Sequence, residues 1–454
     1  MSEFADLSIA GRVATPADSD WDQARQAWNL TADQRPSAVA FVEGPDDVAA
    51  VIGFARERGF GVTAQGTGHG AVALGPLEGV ILIKTERMRG VEVDGDARTA
   101  RVEAGARSSE LAEAAQAKGL CYLGGSSPDV GVIGYSLGGG LGWLGRPYGF
   151  ACNRARAIEV VTVDGEARTV DADNDSDLFW ALRGGGGGYA IATALDVALL
   201  PHADVYAGTM LLSAELGADA VRAYRDWAAR APDEVTSIIR FLTPPPIPDV
   251  PEPLRGKRLL TIGVASIGNQ AEGEERIGPL REIGEPIIDT IAQIPTAALS
   301  GIHMDPEQPA PGLGDHAVIA ALPDEAIEAF VDTVGPDSGS PLVVAELRQL
   351  GGALGRPADG GGALAKLDGA FLMSGIGMSA TPELAEAIDR HLDRLHDAME
   401  PWRAAGGYLN FAERPAGIEA ILPEEVCERL GEVKRRWDPD GLIRANHNLA
   451  PAPA

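Results

Sequence analysis

Ten glycines fall within the 26 residues from Gly124 to Gly149, GGSSPDVGVIGYSLGGGLGWLGRPYG. Aliphatic and aromatic residues interleave with them, which a flexible linker would not need. Backbone this bare can press against a large flat or extended ligand, or it can pack on itself as a glycine-rich loop. It is not a Walker loop, because no Gly-Lys-Ser/Thr follows. It is also a poor dinucleotide fingerprint. That motif opens a helix after a strand and has an acidic residue about 20 positions on, whereas these glycines continue too far.

Two shorter segments repeat the theme. Thr63 to Ala71, TAQGTGHGA, sets three glycines around one histidine. Consecutive amides in such a loop form a concave donor set suited to a pyrophosphate or another anion. A glycine-rich turn with an incidental histidine is the other reading. Arg183 to Thr193, RGGGGGYAIAT, places five glycines before a strand, for close passage to a ligand edge or for flexibility alone. In all, 57 of 454 residues are glycine, well above the usual share of roughly 7%. No collagen-like period accompanies them.

The net charge of -28 argues against nucleic-acid backbones and anionic membranes as partners, since both need basic patches. No apolar run approaches the roughly 18 residues of a membrane span. The start, MSEFADLSIAGRV, lacks a basic region followed by an apolar stretch. Cys121, Cys152 and Cys427 have no spacing that suggests a disulfide framework or a zinc site. A soluble, cytoplasmic protein is expected.

Residues 1–34 read as an irregular arm containing Trp21 and Trp28. Helical spacing predicts a helix over 45–58, with acidic residues in its first turn and arginines in its last. Further helices are expected at 108–118, 174–182, 215–230, 323–334, 382–399 and 423–436. Strands are expected at 80–83, 90–93, 99–102, 157–163, 167–170 and 189–199, then at 205–212, 235–242, 259–267, 317–322, 342–349 and 370–378. The proline-rich 243–253 can be only a surface loop, and 351–363 a glycine-rich one. After about residue 201 the order suits an antiparallel sheet with helices on one face.

The order of motifs carries a resemblance. A histidine loop is followed by Pro128-Asp129-Val130-Gly131 and Gly138-Gly139-Gly140, then by Arg183 with its glycines, and finally by Asn446-His447-Asn448 after Trp437-Asp438-Pro439. On these residues the chain resembles the berberine-bridge-enzyme-like FAD-linked oxidases of the vanillyl-alcohol-oxidase superfamily, with their PCMH-type flavin domain. Among bacterial members the spacing is nearest to the 6-hydroxynicotine-oxidase type. The resemblance covers about 35–200 and 408–451, and the middle third matches only in size and element order.

What the resemblance implies is an α+β, two-domain fold. The FAD-binding domain would be discontinuous, residues 1–204 and 405–454, with residues 205–404 inserted as a substrate domain built on an antiparallel sheet. FAD would be joined to His69 through its 8α-methyl carbon. Gly66, Thr67, Gly68 and Gly70 would cradle the pyrophosphate. Gly125, Ser126, Ser127, Val130, Gly131, Gly134, Tyr135, Gly138, Gly140, Gly188, Ile191, Asn446 and Asn448 complete the expected cofactor contacts. The implied reaction removes hydride from a small organic substrate to flavin N5, with O2 as acceptor and H2O2 as product. A flavin-dependent dehydrogenase, an oxidative cyclase of a natural-product pathway and a catalytically idle flavin binder are the alternatives.

Departures from the family pattern matter. Ser127 stands where many members have a second flavin-linking cysteine, and a hydroxyl is a poorer nucleophile than a thiol. A single link is therefore expected. Val130 occupies the oxygen-gating position and resembles the oxygen-using members. Leu141 replaces a tyrosine. Tyr408-Leu409-Asn410-Phe411 lacks the terminal catalytic tyrosine, and phenylalanine cannot move a proton. Tyr135 and Tyr408 remain the candidate catalytic residues; Tyr135 either stabilises negative charge on the reduced flavin or is an ordinary packed tyrosine. With the familiar phenolic base missing, an amine is the expected substrate, because its lone pair stabilises the iminium formed on hydride loss. His202, His303, His316, His391, His396 and His447 are assigned ordinary core or surface roles.

Overall fold

A computed structural model gives the structure of residues 3–246, 248 and 250–449. The outermost ends of the two expected FAD-binding segments, 1–2 and 450–454, and two positions of the proline-rich loop lie outside the described residues.

The fold is α+β and is built on three sheets. The first is a small sheet in which strands Ala38–Phe41, Val80–Lys84 and Gly61–Gln65 run parallel, with Arg12–Ala14 antiparallel at the edge. Helix Pro45–Arg58 packs on it through Val48, Val51, Ile52 and Ala55. That helix has proline in its first turn and ends on Gly59 at φ 76°, as helix-end chemistry dictates. The second sheet is antiparallel, in the order Val91–Asp94, Thr99–Glu103, Ile191–Ala198, Ala155–Val161, Ala167–Asp171.

The third sheet has eight strands. Its main path runs Ile288–Asp289, Asp204–Ser213, Leu259–Ser266, Val235–Leu242, Val344–Gln349, Phe371–Met378, Gly312–Ile319, all antiparallel. Helices Gly217–Ala228, Gln270–Arg281, Asp324–Val334 and Pro382–Met399 bury one face of it in the largest core cluster. Side chains alternate across a strand, so the remaining residues point away from those helices. Ile238 and Ala265 there pack with Leu123, Trp143 and Leu144 of the glycine-rich segment. Val318 and Leu372 pack with Leu141, Phe150 and Tyr408. The glycine-rich segment thus packs against the open face of the large sheet.

The structure differs from the sequence expectations in places. Helix Gln270–Arg281 and strands Ile288–Asp289 and Ala292–Pro295 were not foreseen. The helix is strongly polar and carries Pro279 inside, so it lacks an apolar stripe; only Gly273, Ile277 and Leu280 are buried. The arm is not wholly irregular, since it holds Arg12–Ala14 and helix Trp21–Arg25. Helix Val132–Leu137 lies inside the glycine-rich segment. No helix among the described residues is long and apolar enough to cross a membrane.

Candidate functional site

Two constellations meet around the glycine-rich segment. The first begins at the carboxyl ends of the parallel strands, the usual place for a ligand in such sheets. Strand Gly61–Gln65 leads into Gly66-Thr67-Gly68-His69-Gly70. Gly68 sits at φ +91°, where a Cβ would meet Ala27 and Gln65 at 2.9 Å. A residue with a side chain could therefore not make this turn beneath the arm. The Asn446 amide donates to Gly70 O (2.9 Å). The missing Cβ of Gly131 faces Thr67, and that of Gly188 faces Ala445. The fold thus brings together loop 66–70, segment 125–131, Gly188 and the carboxyl-terminal Asn446.

Polar groups here are left over by the protein itself. His69 Nε2, Asp129 Oδ1 and Gln65 Nε2 are buried without a conventional hydrogen bond. Lys84, buried at the end of the neighbouring strand, donates to Gln26 O (2.5 Å) and forms no ion pair among the described residues. Burial lowers its pKa. The unspent Gln65 amide and one cation beside a glycine turn suit the diphosphate of a dinucleotide, while His69 Nε2 and Asp129 Oδ1 face each other at 3.3 Å. These residues fit the FAD that the resemblance implies.

The second constellation lies on the open face of the large sheet. Register sets Arg240 opposite Glu346 on the adjacent strand, with Arg348 two residues further along the same face. All three are almost fully buried, as is His303 at 7% exposure. His303 arrives on a loop together with Asp305. Between them Met304 takes φ 60° and is exposed. That left-handed conformation is unfavourable for methionine, and such strain concentrates where side chains must be aimed. Here it turns Met304 outward while both neighbours face in.

The distances form a chain. His303 Nδ1 lies 2.6 Å from Asp305 Oδ1, and its Nε2 lies 2.9 Å from Glu346 Oε2. Arg348 Nη2 is 3.1 Å from Glu346 Oε1. The Arg240 guanidinium bonds Thr261 Oγ1 and His303 O. Ser127 Oγ donates to Asp305 Oδ2, which ties the chain to the glycine-rich segment. Burial alone would raise the Glu346 pKa, but Arg348, His303 and Arg240 outweigh it and bring it down to about 2. Asp305 is likewise held below the usual carboxylate range, against its burial, by His303, Ser127 and Arg240. Arg348 also lies over the Phe411 ring at 5.3 Å, and its Nε has no hydrogen-bond partner.

The expected catalytic tyrosines are placed differently. Tyr408 is fully buried; its hydroxyl accepts from Leu141 N (2.7 Å) and from Asn410 Nδ2 (3.1 Å). Burial raises its pKa. Tyr135 donates to Leu123 O (3.2 Å), and burial pushes its pKa well up. Leu141 packs in the core with Phe150 and Leu354. Val130 and Ser126 are half-buried, Gly134 is exposed and Ile191 is buried. Gly125 and Gly140 both lie against the Tyr135 ring. Asn448 is engaged in a turn with Ala445 through both ends of its amide.

Sequence reasoning missed His303, Asp305, Arg240, Glu346 and Arg348. A signal existed: Glu346 and Arg348 alternate with apolar residues in VAELRQ, a strand buried on both faces, where charges are rarely retained without a purpose.

A family model described as an FAD binding domain matches residues 36–171. The chain is 28% identical to (R)-6-hydroxynicotine oxidase of Paenarthrobacter nicotinovorans, over 98% of each protein. It superposes on the crystal structure of 6-hydroxy-D-nicotine oxidase from Arthrobacter nicotinovorans with a TM-score of 0.81, at 25% identity, covering 98% of this chain and 99% of that one. The wild-type BBE-like 1 protein of Physcomitrella patens shares the fold, with a TM-score of 0.85 over 97% of both chains at 19% identity.

Proposed function

We propose that this protein is a berberine-bridge-enzyme-like, FAD-linked oxidase of a small organic substrate, using O2 and releasing H2O2, a reading supported by its FAD binding domain and its likeness to (R)-6-hydroxynicotine oxidase. In this reading FAD is held by residues 1–204 and 405–454, is bonded covalently to His69, and is roofed by residues 205–404. A bound flavin supplies a two-electron acceptor for hydride.

The observation that carries the proposal is the buried Asp305–His303–Glu346 chain, which offers a proton acceptor in a site whose phenolic base is absent. Glu346 is ionised at neutral pH, because Arg348, His303 and Arg240 hold its pKa near 2. It can receive a proton from the substrate N–H or O–H as hydride departs, with His303 Nε2 2.9 Å from Glu346 Oε2 to relay it and Asp305 orienting the imidazole through Nδ1. Its low basicity is offset by close placement and exclusion of water, since geometry comes first for a general base. The Arg348 guanidinium lies over the Phe411 ring at 5.3 Å. Tyr408 and Asn410 brace the glycine-rich segment through Leu141 N and Tyr135 O.

The relay serves an amine or an alcohol alike. The likeness to (R)-6-hydroxynicotine oxidase along the whole chain makes amines the first class to test. The experiment is anaerobic incubation of the purified holoprotein with an amine and alcohol panel. Bleaching of the flavin by an amine, reversed by air with release of peroxide, supports the reading. Bleaching without recovery in air indicates a dehydrogenase, and no bleaching by any member of the panel indicates an idle flavin binder.

A further inference from the structure

The ring of His69 is held on several sides. Trp28, from the amino-terminal arm, stacks on it with centroids 4.1 Å apart and planes 17° from parallel. The Trp28 indole N–H donates to Asp129 Oδ2. Asp129 Oδ1 lies 3.3 Å from His69 Nε2, and neither atom has another partner among the described residues. On the opposite edge of the ring, Thr67 Oγ1 is 2.8 Å from Nδ1. The arm itself is pinned to the loop, because Trp28 N donates to Thr67 O (3.0 Å) and Asn29 N to Gly68 O (3.3 Å). Asp129 is 7% exposed. Burial would raise its pKa, but the bonds from His69 and Trp28 prevail and lower it. This buried ionised carboxylate ties the arm to the glycine-rich segment through Trp28, and its other oxygen faces the His69 imidazole. Such groups are costly unless they are paired for a purpose.

We propose that Asp129, oriented by Trp28, is the positioning residue for flavin attachment to His69. The inference rests on the covalent reading above. A carboxylate facing Nε2 favours the tautomer with its proton there. As the bond to the flavin carbon forms, positive charge develops on the ring, and Asp129 stabilises it and accepts the Nε2 proton. Carboxylates paired with histidine play the same part in hydrolytic triads.

The step balances. The 8α-methyl group gives up one hydrogen as a proton, and the imidazole supplies the electron pair of the new bond. Two electrons remain on the isoalloxazine, which ends reduced with the two protons lost from the methyl group and from Nε2. Dioxygen then removes two electrons and two protons as hydrogen peroxide. Trp28 supplies no proton; it fixes the plane of the ring and the direction of the carboxylate.

The test compares wild type with Asp129→Asn, Asp129→Glu and Trp28→Phe, the last of which keeps an aromatic face but removes the indole donor. Each protein is purified, its total flavin is measured, and it is denatured in acid so that bound and released flavin can be separated. Digested flavin peptides are then compared with the two isomeric histidyl-riboflavins. The expected result is wild type linked to His69. Asp129→Asn and Trp28→Phe should retain FAD in the native state but release most of it on denaturation. Their covalent incorporation on incubation with FAD should be slower by about tenfold or more, the scale of one misplaced proton acceptor. Asp129→Glu should recover part of the linkage. Wild-type rates of linkage in Asp129→Asn and Trp28→Phe, or a link through Nε2, would overturn the inference while leaving the covalent reading intact. Complete release of flavin from the wild type itself would overturn both.

Discussion

Replacing Glu346 with glutamine preserves shape and removes one negative charge from the centre of the buried chain. The carboxylate pKa falls from an ordinary 4.5 to about 2 in the folded protein. At about 1.4 kcal/mol per pKa unit, its pairing contributes on the order of 3 kcal/mol of stability at neutral pH. The variant also leaves the Arg348 and Arg240 guanidiniums buried without their shared counter-charge, and breaking a buried pair typically costs about 3–5 kcal/mol. Glu346→Gln should therefore lower the melting temperature of the protein by roughly 6–12 °C at pH 7. The folded pKa lies below the unfolded one, so the contribution is complete above the unfolded value and is lost as pH falls toward the folded value. Wild type and variant should converge between about pH 4.5 and pH 2. The assay is thermal unfolding followed by near-ultraviolet circular dichroism across that range. A second variant, Glu346→Gln with Arg348→Met, should recover part of the loss, because it removes the orphaned cation. Melting within about 1 °C of wild type at pH 7 would refute the reasoning, as would a difference that persists undiminished at pH 2.

Three other perturbations probe separate parts of the account. A Cβ at Gly138 would lie 1.9 Å from Asn410 Oδ1, although the backbone φ of -87° is open to alanine. Gly138→Ala should thus cost about 1–3 kcal/mol by overpacking and lower the flavin content per protein, as read by melting and by flavin absorbance. Burial, with Asp315 adding to it, raises Glu413 to about 7 from an ordinary 4.5. The folded protein then binds the proton more tightly than the unfolded chain, so stability should fall as pH rises between those values and level off above; denaturant titrations of Glu413→Gln should lack that fall. Val130→Leu should slow air reoxidation of the reduced flavin by about tenfold, equivalent to ~1.4 kcal/mol on the barrier, and an unchanged stopped-flow rate would remove Val130 from the oxygen path.

Most elements were legible because local signals agreed with the final packing. Helices Pro45–Arg58 and Pro382–Met399 and strand Val235–Leu242 lie where periodicity, caps and flanking glycines place them. Helix Gln270–Arg281 was not, because its sequence is polar and interrupted by Pro279. Its capping box, Asn269 with Glu272, was the only local cue. The glycine loops around His69 and Gly131 could be singled out as candidate cofactor loops because backbone amides and missing side chains act locally. The Arg240–Glu346–His303 group could not, since strand register and a strained loop assemble it from residues tens of positions apart. Trp28 was visible only as part of an arm, and nothing local indicates that it stacks on His69.

The most direct test of the central claim is anaerobic flavin reduction at saturating amine, followed by stopped flow in wild type and in Glu346→Gln, both at a temperature where the variant is folded and with equal flavin content. The account predicts a reduction rate constant lower by about 10²–10⁴ in the variant, with substrate affinity changed far less. Equal rate constants in the two proteins would contradict it.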